Sequence, residues 1–123
     1  MANLVIAEDA PHMLRLLEMT LRKKAHQWTS ANNGDAALEA IRSNKPDAAI
    51  LDIMMPGLNG LEVLKEIKSH PDTANIPVII LTARSHLLTK QEAIDSGVDA
   101  FLTKPFSPTE LLATIDRVIA EKS

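Results

Sequence analysis

Short apolar runs alternating with helical stripes set the plan of this chain. Asn3–Ala7 (NLVIA), residues 48–51 (AAIL) and residues 78–81 (VIIL) have strand length and are almost wholly apolar, the pattern of strands covered on both faces. Gln27–Ala31, carrying Trp28, is a further strand candidate, and residues 100–103 make the last strand. Between these runs apolar residues recur three and four positions apart: Met13, Leu14, Leu17 and Leu21; Ala37, Leu38 and Ile41; Leu61, Leu64 and Ile67. A weaker helix is expected over residues 87–96, and Leu111, Leu112, Ile115, Val118 and Ile119 mark a closing one. Strand and helix alternate five times, which implies a parallel sheet with right-handed crossovers and helices on both faces. The expected fold is a doubly wound α/β domain.

Capping residues sharpen the boundaries. Pro11 suits a first helical turn, and Arg22-Lys23-Lys24 suits a solvated helix C-terminus. Asn32-Asn33-Gly34-Asp35 reads as a turn into the second helix, which Pro46 closes. Asn59 with Glu62 predicts a capping box opening the helix Gly60–Ser69, and Ser107 with Glu110 predicts a second, with Pro108 in the first turn. His70-Pro71-Asp72 breaks the chain, and Gly97 stops the fourth helix.

Composition narrows the class. With 123 residues the chain makes one domain, 1–123, with one good core. Apolar residues make up 46% and charged residues 24%, ordinary for a globular protein, and no run reaches the ~18 apolar residues of a membrane span. The opening MANLVIAEDA lacks the basic start of a leader, so a cytoplasmic location without membrane insertion is expected. The absence of cysteine removes disulfides, thiolate chemistry and cysteine-based zinc sites. A net charge of -3 with mixed signs argues against direct nucleic-acid binding.

The candidate chemistry lies where the strands end. Residues 48–60, AAILDIMMPGLNG, form an apolar run that delivers Asp52 to a Met-Pro-Gly loop. Alone, an Asp here is an ordinary turn residue. Glu8-Asp9, Thr82 and Lys104 end other strands, however, and in open α/β sheets the site lies outside the carboxyl ends of the strands, where strand order reverses. Three carboxylates at one rim repel one another and need a cation. Magnesium fits, since it takes oxygen ligands and commonly binds one or two carboxylates together with a phosphate. Zinc and copper fit less well, because no His or Cys stands at these strand ends. A carboxylate beside magnesium can attack phosphorus to form an aspartyl phosphate, with Lys104 as a point charge for the phosphoryl oxygens and Thr82 as a hydrogen-bonding hydroxyl.

Over essentially its whole length the chain resembles a response-regulator receiver domain of two-component signalling, of stand-alone, single-domain type. The resemblance is carried by Glu8-Asp9, by LDIMMPGLNGLEVL around Asp52, by ILTA at Thr82 and by GVDAFLTKPFSPTELL around Lys104. It implies the flavodoxin-like strand order 2-1-3-4-5. It further implies that Asp52 accepts a phosphoryl group from a phosphohistidine on a sensor histidine kinase or phosphotransfer protein, the receiver itself catalysing the transfer. Asp9 and Asp52 would hold magnesium directly, Glu8 through water, and the backbone carbonyl of Met54 would complete the protein ligands. Thr82 and Phe101 would form the switch, and a downstream protein would read the face of the fourth and fifth strands and helices. The resemblance also implies a cis Lys104–Pro105 bond, which the residues alone leave trans by default.

The chain departs from the family's usual pattern at two positions. Phe101 stands where many receivers carry Tyr, so no hydroxyl is available there, and simple core packing is its plainer role. Glu8 replaces the more usual Asp and lengthens the arm toward the metal. Met54 and Arg84 occupy positions that in the family influence phosphoryl hydrolysis, and Met54 offers no polar group to orient a water, so slow hydrolysis is expected. His12, His26, His70 and His86 are expected as solvated surface residues, and Trp28 as partly buried on an outer strand. The rivals are a haloacid-dehalogenase-type phosphatase, which needs a second acid where Met54 stands, and a nucleotide or flavin binder, which lacks its glycine-rich loop. A receiver that binds partners without being phosphorylated is the third.

Overall fold

The computed structural model describes residues 2–83 and 87–122. Arg84 and His86 lie outside the described residues, and so do the expectations attached to them.

Five strands alternate with five helices: β1 (Asn3–Ala7), α1 (Pro11–Arg22), β2 (Gln27–Ala31), α2 (Gly34–Asn44), β3 (Ala48–Asp52), α3 (Gly60–Ser69), β4 (Val78–Ala83), α4 (Leu87–Asp95), β5 (Ala100–Lys104) and α5 (Pro108–Lys122). The sheet order is β2-β1-β3-β4-β5, with each neighbouring pair parallel. Both match the expected doubly wound arrangement. β4 and β5 run slightly past their expected ends, because Thr82 pairs with Thr103 and Ala83 with Lys104 and the ladder therefore continues. α4 stops at Asp95, one residue early, and Gly97 follows at φ +90.

Alternation along each strand divides the core into two layers. Val5, Ala7, Ala49, Leu51, Val78 and Ile80 face α2, α3 and α4, where they meet Ile41, Leu64, Ile67 and Ala93. Leu4, Ile6, Ile50, Ile79, Leu81 and Leu102 face α1 and α5, where they meet Leu17, Leu21, Leu111, Ile115 and Val118. Because β1, β3 and β4 are covered on both sides, their sequences read as unbroken apolar runs. Each fully buried Leu or Ile stabilises the fold by about 1.5–3 kcal/mol relative to leaving it exposed.

The caps follow the sequence reading. Asn59 and Glu62 form the reciprocal box at α3, with N–H to side-chain distances of 2.9 Å in both directions. At α5 the Ser107 hydroxyl accepts from the Glu110 N–H at 3.3 Å, one arm of the expected box. Asn33 caps α2 by accepting from the Ala36 N–H at 2.8 Å. Trp28 is half-buried on the outer strand, as expected: its Nε1 donates to Glu18 at 3.0 Å, and the Arg22 guanidinium lies 5.4 Å from the ring centroid.

His26 corrects the sequence reading. It is 7% exposed, not solvated, and its Nδ1 accepts from the Ala2 N–H at 2.9 Å. After α1 the chain reverses through Ala25, at φ 57, so that His26 folds back under the start of β1. An acceptor at Nδ1 places the neutral ring's proton on Nε2, which is buried without a hydrogen-bond partner among the described residues. His12 and His70 are exposed, as expected.

No helix among the described residues is long and apolar enough to cross a membrane.

Candidate functional site

Register brings the polar strand ends to one place. Ala7 pairs with Leu51, so the next residues on the two strands, Glu8 and Asp52, stand level. Asp52 pairs with Leu81, which puts Thr82 one step further along β4, and Ala83 pairs with Lys104 one step beyond that. The order reverses between β1 and β3, since β1 is flanked by β2 on one side and β3 on the other. The cluster therefore sits at the topological switch point at the carboxyl edge.

One ammonium holds two of the acids. Lys104 Nζ lies 2.8 Å from Glu8 Oε1 and 3.0 Å from Asp52 Oδ1. Glu8 is 1% exposed and Asp52 4%, whereas Asp9 faces solvent. The Met54 N–H points to Asp52 Oδ1 at 3.4 Å, and the Ala10 N–H to Glu8 Oε2 at 3.4 Å. One oxygen from each of Glu8, Asp9 and Asp52 lies within 4.8 Å of the others.

The electrostatics are those of a site short of positive charge. Burial pushes the Glu8 carboxyl up to about 7, and the hydrogen bond and charge of Asp52 push the same way against the lowering effect of Lys104. Burial alone would lower Lys104, but its hydrogen bonds and charge pairing with Glu8 and Asp52 outweigh that and raise it. Lys104 therefore stays charged. Three carboxylates against one ammonium leave a deficit of two positive charges when all are ionised, and the donor set is all oxygen. That combination suits a hard divalent cation such as magnesium.

The loop after β3 is pinned at both ends. The Gly60 N–H donates to the Ile53 carbonyl at 3.1 Å, and a Cβ on Gly60 would run into the backbone carbonyl of Asp52. Met54, at the loop's start, is 60% exposed. Thr82 is 5% exposed. Phe101 pairs with Ile80 on β4 and is half-buried against the α2/α3/α4 layer. Lys104–Pro105 is cis.

Glu8, Asp9, Asp52, Met54, Thr82 and Lys104 lie at this edge, and Phe101 lies on β5, three residues before Lys104. Sequence reading assigned Lys104 to an incoming phosphoryl group and did not foresee its double hold on Glu8 and Asp52. It also passed over Gly60, where any side chain would run into the Asp52 carbonyl. The spacing of Gly60, eight residues after Asp52 at the head of α3, was the available signal.

Comparison with known proteins agrees with this geometry. The response regulator receiver domain family matches residues 4–116. The chain is 37% identical over 120 residues to protein PilH of Pseudomonas aeruginosa, covering 98% of this chain and 99% of PilH. It is also 37% identical over 119 residues to the response regulator ArlR of Staphylococcus epidermidis, of which it spans 53%. Among solved structures, a putative response regulator from Chloroflexus aurantiacus superposes with a TM-score of 0.92 at 33% identity, covering 97% of this chain and 98% of the other. The receiver domain of the sensor histidine kinase PA1611 from Pseudomonas aeruginosa, with a magnesium ion coordinated in its active-site cleft, superposes with a TM-score of 0.89 at 26% identity, covering 97% and 98%. Fold, strand-end cluster and comparisons agree: the chain belongs to the response regulator receiver domains, which work in the phosphorelays of two-component signalling.

Proposed function

We propose that the chain, 1–123, acts as one receiver in which Asp52 is the phosphoacceptor. The observation that carries this reading is the half-buried Lys104 ammonium bridging the buried Glu8 and Asp52 at the switch point of the sheet, with exposed Asp9 beside it. An Asp52 carboxylate oxygen attacks the phosphorus of a phosphohistidine on a sensor kinase or phosphotransfer protein. The P–O bond forms as the P–N bond breaks, and the leaving imidazole nitrogen keeps the electron pair. Lys104 transfers one hydrogen bond from the carboxylates to a phosphoryl oxygen, and the Thr82 hydroxyl donates another.

Asp9, Asp52 and the Met54 carbonyl would hold magnesium directly, with Glu8 acting through water. When bound, the metal neutralises charge on the phosphoryl oxygens. In this reading the chain works in the cytoplasm as a phosphoacceptor whose own residues catalyse the transfer and the later hydrolysis, and it is not an enzyme acting on other substrates.

Phosphorylation favours the state that offers Thr82 and Lys104 to the phosphoryl group, by no more than its differential affinity for the two states. Thr82 and Phe101 carry that bias to the face formed by β4, α4, β5 and α5, where a downstream protein docks. Ile94, 50% exposed on α4, supplies an apolar contact on that face. Incubation with a phosphotransfer protein charged on histidine tests the donor class. Transfer to Asp52 supports it, and transfer only from small acyl phosphates would argue against it.

A further inference from the structure

We infer that Gly34, at the head of α2, is a positioning residue for the site: it seats the loop of residues 53–59 that carries the Met54 carbonyl and steadies Asp52. The inference rests on the reading of Asp52, Met54 and magnesium given above.

Gly34 is buried, and its N–H donates to the Pro56 carbonyl at 3.3 Å. A Cβ built on Gly34 would run into the backbone carbonyl of Leu58, with the Leu58 Cβ only 2.7 Å away. The next residue continues the same contact, because the Asp35 carboxylate lies against Gly57, which adopts φ +72. The first turn of α2 therefore holds the loop at Pro56, Gly57 and Leu58. Backbone meets backbone there, and no side-chain rotation can relieve an added methyl.

Burial decides which partner gives way. α2 is anchored by Ala37 and Ile41, both 0% exposed. The loop is the soft side, with Met54, Pro56 and Gly57 exposed and Met55 and Leu58 half-buried. Its C-terminal end is fixed by the Gly60 N–H on the Ile53 carbonyl and by the Asn59–Glu62 box, so displacement concentrates between residues 54 and 58. Met54 donates its N–H to Asp52 Oδ1, so a loop pushed off α2 misplaces the proposed metal carbonyl and an acceptor contact together.

The test compares magnesium affinity by calorimetry in the wild type, Gly34→Ala and Gly97→Ala, with acetyl-phosphate adduct formation and urea stability measured in parallel. Gly97 is left-handed, and its Cβ would meet only the Lys68 side chain, no closer than 3.8 Å, so its replacement strains the fold away from the loop. Gly34→Ala should weaken magnesium binding about tenfold or more, as loss of a ligand-orienting partner does, and slow adduct formation; Gly97→Ala should lower stability alone. Equal magnesium affinity in folded Gly34→Ala and wild type would overturn the inference. If Gly34→Ala does not fold, Asp35→Ala removes the neighbouring hold without adding volume, and it should weaken magnesium binding several-fold; unchanged affinity in that variant would overturn the inference as well. A wild type that binds no magnesium and forms no adduct would instead overturn the proposed function, and the inference with it.

Discussion

Lys104, the last residue of β5, lies 2.8 Å from Glu8, the residue that follows β1, although 96 positions separate them in the chain. The same ammonium sits 3.0 Å from Asp52, so three strand ends converge on one nitrogen. Replacing Lys104 with Met leaves two buried carboxylates facing each other without a counter-charge and removes a donor for the phosphoryl oxygens. Adduct formation from acetyl phosphate should slow about a hundredfold, the scale of losing one oriented donor at a transition state. Initial rates by mass spectrometry check this, and a rate near wild type would contradict the role given to Lys104.

In the proposed switch, Thr82 and Phe101 separate chemistry from readout. Thr82→Ala keeps Asp52, Asp9 and Lys104 in place, so phosphorylation should persist at a modestly reduced rate. The amide resonances of β5 and α5 should shift on phosphorylation of the wild type and should shift much less in the variant. Full wild-type shifts in Thr82→Ala would remove Thr82 from the switch.

Met54, 60% exposed, stands two residues after the proposed acceptor Asp52, and its side chain has no polar group to orient a water. Met54→Asn should shorten the phosphoryl lifetime several-fold at unchanged stability, measured by loss of the adduct after the donor is removed. An unchanged or longer lifetime would contradict slow hydrolysis in the wild type.

His26 gives a pH dependence that is independent of the site. Burial is the main cause lowering its pKa below the ordinary 6.5. The unfolded chain therefore takes up a proton before the folded one, and stability rises with pH in that interval. The contribution is present in full above the unfolded value of 6.5 and is lost as pH falls through the depressed folded value. His26→Asn keeps an acceptor for the Ala2 N–H but cannot titrate. Between about pH 7.5 and pH 5 the wild type should lose more stability than the variant in urea titrations. Parallel losses would show that His26 does not titrate across unfolding.

The strands, helices and strand-end residues were legible because burial on both faces writes β1, β3 and β4 as unbroken apolar runs and because each of these runs, like the weaker one before Lys104, ends on a polar residue. Residue order alone could not show the register that levels Glu8 with Asp52, nor the shared Lys104, since both arise from pairing between distant strands. Gly34 was read only as part of a turn, because a glycine's need for space depends on what packs against it, here the backbone of Leu58. His26 was misplaced for a related reason: a polar residue after a basic helix end is usually solvated, and only the reversal at Ala25 tucks it under Ala2.

The most direct test of the central claim is intact mass after incubation with acetyl phosphate and magnesium, beside Asp52→Asn and a chelated control. A single phosphoryl adduct in the wild type, absent from Asp52→Asn and absent when magnesium is chelated, is the predicted result. No adduct in a wild type shown separately to bind magnesium, or an adduct that survives Asp52→Asn, would contradict it.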